Sequence, residues 1–125
     1  MTKEAALYDF WSSFGLNAYE ESSVPTGDDA PDFPYITYQV VTDNFGGEIQ
    51  LTASVWYRST SWVNLNAKVE VISQVIGRGG KIIPCDGGAI WIKRGQPFAQ
   101  SMGDPSDIMI KRKYLTFSAE FLTAD

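Results

Sequence analysis

Between Pro34 and Gly79 the apolar pattern switches once, from alternation along strands to the period of a helix. That switch limits the fold more than any other feature. PYITYQVVTDN is rich in β-branched and aromatic residues and predicts a strand over Tyr35 to Thr42. Pro34 suits a strand start, where its missing donor costs little. Asp43-Asn44-Phe45-Gly46-Gly47 is turn chemistry, because Asn and Gly accept positive φ, so the next strand should run antiparallel. From Glu48 to Arg58 the residues alternate. Ile49, Leu51, Ala53, Val55 and Tyr57 form a core face; Gln50, Thr52, Ser54, Trp56 and Arg58 form the other. Ser59-Thr60-Ser61 offers N-caps for a helix from Trp62 to Ile76. Its stripe is Trp62, Leu65, Val69, Ile72 and Ile76, broadened by Val63, Val71 and Val75. Gly77, Gly79 and Gly80 stop it. The helix should cover the apolar face of the hairpin.

The flanks add further elements. Thr2 to Phe14 predicts a first helix with Thr2 as N-cap, Glu4 near the positive end of the dipole, and Gly15 as its stop. Leu16 to Phe33, with Pro25, Gly27, Pro31 and five acids, predicts an irregular arm. Lys81 to Pro84 and Ala89 to Lys93 flank Cys85-Asp86-Gly87-Gly88 and predict a second hairpin. Arg94 to Asp107, rich in Gly and Pro, predicts a long docking loop carrying Phe98 and Met102. Ile108 to Leu122 predicts a long last strand, and Thr123-Ala124-Asp125 a frayed tail. The expected order is α-β-β-α-β-β-β: one α+β domain over 1–125, a two-layer sandwich of mostly antiparallel sheet with helices on one face.

Composition narrows the chemistry. The chain has no histidine, which removes the commonest general base and metal ligand. Its net charge of −5 argues against sequence-specific nucleic-acid binding, which needs clustered cations. Cys85 is alone, so no internal disulfide forms and nothing activates the thiol. The acids Glu20, Glu21, Asp28, Asp29 and Asp32 lack the spacing and trailing Glu of a calcium loop. Gly77-Arg78-Gly79-Gly80 follows a helix and precedes a strand, the reverse of a phosphate loop. No apolar run reaches membrane-span length, and acids inside the N-terminal apolar stretch argue against a secretory leader. No catalytic residue, metal or cofactor is expected.

What remains points to assembly. Trp56 stands on the polar face of its strand, as a partner contact or a cross-strand packing residue. Lys93, Arg94, Lys111, Arg112 and Lys113 are the clearest charge feature, with Lys111 and Lys113 facing opposite to Arg112. These cations either keep an edge strand soluble or meet the acidic arm of a second copy, in head-to-tail contacts that close a ring. Trp56, Arg58, Phe98, Met102, Lys111 and Lys113 are the candidate assembly contacts.

MTKEAALYDFWSSFGLNAYEESSVP, PYITYQVVTD, LTASVWYRSTSW and GKIIPCDGGAIWIKRGQPFAQ together resemble the tail terminator proteins of long-tailed bacteriophages and related prophages, over most of the chain. The resemblance implies an α+β subunit that assembles as a hexameric ring. Such a ring caps the tail tube, ends tube polymerisation and offers a surface to the head-tail connector or neck protein. It implies no cofactor, assembly in the bacterial host cytoplasm, and a place at the head-proximal end of the virion tail. The acidic balance suits a lumen through which DNA passes without sticking. A head-closure protein, neck adaptor or tail tube protein is the alternative within that biology. A small ligand-binding domain, with Trp56 and Trp91 stacking a planar ligand, is the alternative outside it.

Overall fold

The computed structural model describes residues 1–42 and 46–123. The expected turn at Asp43-Asn44-Phe45 and the tail residues Ala124 and Asp125 lie outside them. Among these residues the fold is α+β: two α-helices and a six-stranded mixed sheet. Helix α1 (Lys3–Ser12) starts where Thr2 accepts a hydrogen bond from the Ala5 amide at 3.1 Å. The strands are β1 (Asn17–Glu20), β2 (Tyr35–Tyr38), β3 (Gly47–Arg58), β4 (Lys81–Cys85), β5 (Gly88–Gly103) and β6 (Ile110–Thr123). Helix α2 (Val63–Ile76) lies between β3 and β4. Ser61, not the N-cap residue Trp62, supplies the oxygen at its start, accepting from the Val63 amide at 3.1 Å.

The sheet order is β1-β2-β3-β6-β5-β4, with β1 parallel to β2 and every other pair antiparallel. Two expectations need correction, and a third is refined. The arm contains a strand, β1, so the order is α-β-β-β-α-β-β-β. Four residues with only Ala18 buried are too few to show an alternating pattern. The stretch 94–103 is not a structureless loop but the second half of β5. It returns to pairing with β6 after a wide bulge, in which Arg94 faces Phe117 and Ala99 faces Leu115. Gly95 permits this: a Cβ there would stand 2.8 Å from the Thr116 carbonyl oxygen. The mostly antiparallel sheet of the expected two-layer sandwich is mixed and curled. Helix α1 touches both β1 and β4, the two edge strands, so it fills the open seam.

Both helices pack on one face of the sheet. Leu51, Ala53 and Val55 of β3 and Leu115, Phe117, Ala119 and Phe121 of β6 meet Leu7, Phe10 and Trp11 of α1 and Leu65, Val69, Ile72 and Ile76 of α2. Trp11 is fully buried, edge-on to Phe117 at 5.3 Å and stacked near Tyr38 at 6.2 Å. Val63, Val71 and Val75 do not broaden the buried stripe of α2. They are exposed, because the helical repeat sets them about 90° or more from its centre.

Candidate assembly surface

Among the described residues, no α-helix lies on the opposite face of the sheet. Register there aligns side chains from five strands. Tyr35 of β2 lies across from Trp56 of β3, Trp56 across from Arg112 of β6, and Arg112 across from Met102 of β5. Trp56 stacks on Tyr35 with ring centroids 6.1 Å apart and 15° between planes, and its indole N–H donates to Thr37 Oγ1 at 2.9 Å. The Arg112 guanidinium lies 4.7 Å from the Trp56 ring and 5.1 Å from the Tyr114 ring. Its Nε donates to Ser54 Oγ at 2.9 Å, which satisfies a buried hydroxyl. Tyr19 of β1 and Phe33 extend the row by meeting Tyr35 at 6.2 and 5.3 Å. Burial, and then the neighbouring Tyr19, push the Tyr35 phenol above its usual pKa, so it stays neutral.

The result is a half-buried aromatic and cationic row held in place by its own contacts. Such preorganisation lowers the ordering cost of association. Beside it, Trp56, Met102, Gly103, Asp104, Pro105, Ile110 and Arg112 frame a hollow of about 200 Å³. The Asp104 carboxylate in its rim accepts from the Ser106 hydroxyl and amide, at 2.6 and 2.7 Å, and these bonds hold it below the usual carboxylate range.

The six candidate residues do not form one site. Trp56 and Met102 belong to the bare-face row. Arg58 shares their side of the sheet but donates to Asp107 at 3.2 Å, fastening the end of β3 to the 104–109 segment. Lys111 and Lys113 face the helix side, where their ammoniums lie 5.5 and 5.9 Å from the Trp62 ring. Lys111 is only 8% exposed and donates to the Ile108 carbonyl at 2.9 Å. Phe98 lies in the β5 bulge, partly packed on the core. Sequence reasoning missed Tyr35 and Arg112 as partners of Trp56, and Tyr19 and Tyr114 as the residues that extend the row through them. Alternation in β6 already separated Arg112 from the two lysines, but which residue of β3 it faces depends on register.

A second, larger hollow of about 600 Å³ lies at the bulge, lined by Arg78, Gly79, Trp91, Lys93, Arg94, Gly95, Gln96 and Phe98. Trp91 donates its indole N–H to the Gly79 carbonyl at 2.9 Å and carries the Lys93 ammonium 4.4 Å over its ring. Lys93 also meets Glu120 at 3.2 Å and Glu48 at 3.4 Å. Desolvation alone would lower the Lys93 pKa, but bonds to the two glutamates outweigh it and leave it raised. Arg94 donates to Ser73 Oγ at 2.8 Å.

No group of three or more His, Cys, Asp or Glu able to hold a metal ion occurs among the described residues, and no helix is long and apolar enough to cross a membrane. The half-buried Cys85 thiol has its pKa pushed up by burial, which disfavours the nucleophilic thiolate.

No family model and no curated protein matches the chain. A solved structure does. It is a chain from the virion of a native gene transfer agent particle, with a TM-score of 0.58 at 18% sequence identity. The match covers 94% of this chain and 92% of that one. At that identity the two chains share a fold.

Proposed function

We propose that this chain is a structural subunit of a phage-like virion, and within that class a tail terminator: a ring that caps the tail tube, ends its polymerisation and presents the tail-side surface for head joining. The observation that carries the reading is the likeness to a chain of a gene transfer agent virion across nearly the whole of both chains. The resemblance of several sequence phrases to tail terminators supports the finer role. The bare sheet face supports it physically. A cap must bind one end of a polymer, and a preorganised row of Trp, Tyr and Arg has the chemistry enriched where interfaces are strongest. In this reading the Trp56 row meets the last ring of tube protein, at the head-proximal end of the virion tail.

The test begins with solution mass and imaging of the purified chain. Hexameric rings are expected, and rings added to growing tail tubes should halt elongation. Long self-assembled tubes would assign the chain to the tube itself. Rings that bind a head connector but leave tube growth unchanged would assign it to the neck. A monomer at high concentration that takes a planar ligand beside Trp91 would replace the virion reading.

A further inference from the structure

The 600 Å³ hollow at the β5 bulge gathers cations on an otherwise acidic chain. Lys93 is neutralised within the molecule by Glu48 and Glu120. Arg94 spends one nitrogen on Ser73 and keeps further N–H groups exposed. Arg78 is exposed and has no ion pair or hydrogen bond among the described residues. Trp91 and Phe98 supply an apolar floor. The hollow therefore suits an extended acidic segment with a small apolar side chain.

One segment of this same chain has that chemistry. The connection between β1 and β2 makes two short 3-10 turns, Glu21–Ser23 and Gly27–Asp29, with no buried side chain in either. Glu21, Asp28, Asp29 and Asp32 are exposed, and none has an ion pair among the described residues. Val24 and Pro25 lie between the turns. The arm belongs to the β1 edge of the sheet and the hollow to the β5–β4 edge, so the two patches are distinct and of opposite sign. A contact between two different patches is head-to-tail, and repeated rotation closes it into a ring. Lys111 is a poorer partner for the arm, since its ammonium already donates to the Ile108 carbonyl and lies over the Trp62 ring.

We propose that the acidic arm 21–32 of one copy docks in the Arg78–Arg94 hollow of the next, and that this contact, which rests on the ring reading above, builds the ring. Charge reversal tests it. In the arm, Glu21→Lys, Asp28→Lys, Asp29→Lys and Asp32→Lys are combined; in the hollow, Arg78→Glu and Arg94→Glu. Each reversed chain alone should need about tenfold or more higher concentration to form rings in light scattering. Mixing the two should restore rings, because each reversed arm then meets a reversed hollow. In roughly 1 M salt, where the screening length is about 3 Å, the wild-type chain should lose much of its advantage. Arg78→Glu alone guards against misfolding, since Arg78 gives up no internal partner, and it should shift the ring concentration in the same direction. Wild-type rings with unaffected reversed chains would overturn this contact while leaving the ring intact. A wild-type monomer would overturn both. Reversed chains that assemble poorly and are not rescued by mixing would also overturn the pairing of arm with hollow.

Discussion

The two faces of the sheet are built from the same alternating strands and do opposite jobs. On the helix side, Leu51, Val55, Leu115, Phe117 and Phe121 are sealed under α1 and α2. On the bare side, Tyr35, Trp56, Arg112 and Tyr114 are half-buried, and the partners of Trp56 and Arg112 include Thr37 and Ser54 hydroxyls. The first face gains from exclusion of water and tolerates no gap. The second keeps polar handles and spare area, which in the proposed function meet the tube protein. Substitutions on the two faces should therefore separate stability from assembly.

The sharpest break is Trp11→Ala. It leaves a large cavity against Phe117 and Tyr38, costs about 3–5 kcal/mol, and should lower the calorimetric melting temperature by about 10 °C or more. Trp56→Ala should cost less in stability, about 1–2 kcal/mol for its lost ring and guanidinium contacts. Its larger effect should be on tube capping, with a loss of about 2 kcal/mol in titration against tube ends, or about thirtyfold in affinity. A Trp56→Ala chain that caps as well as wild type would erase the distinction between the faces. Arg112→Gln should lower stability by about 0.5–1 kcal/mol, since the cation leaves two rings, and should weaken capping while rings persist.

The smallest effect is acid-dependent. The folded Asp104 carboxyl titrates below its unfolded value, so its stabilisation is present above the unfolded pKa and is lost as pH falls through the folded one. Asp104→Asn should flatten that part of the acid limb of a stability–pH curve while leaving the neutral melt nearly unchanged. A carboxyl titration by NMR that finds Asp104 at the ordinary value would remove the premise.

The long elements were legible because their apolar periods are long enough to repeat. Both helices, the β3 faces and the core half of β6 follow from alternation and helical spacing alone. What escaped depended on other strands. Nothing local marks Asn17–Glu20 as a strand, since its pairing with β2 comes from across the arm. Gly95 and Pro97 read as loop, yet β6 holds the backbone on both sides of them in register. Trp56 could be singled out by its place on a polar face. Its neighbours Arg112 and Met102, more than forty residues away in the chain, come from a register that only the finished sheet defines.

That register has a bearing on how the molecule is made. Of the six strands described, the last in chain order, β6, lies in the middle of the sheet, between β3 and β5. Until it emerges, the β1–β3 and β4–β5 portions have no ladder joining them, and each exposes a strand edge. Completion of the sheet must then wait for β6 to emerge, and the slow closing of these distant pairings leaves nascent chains open to mispairing in the interval.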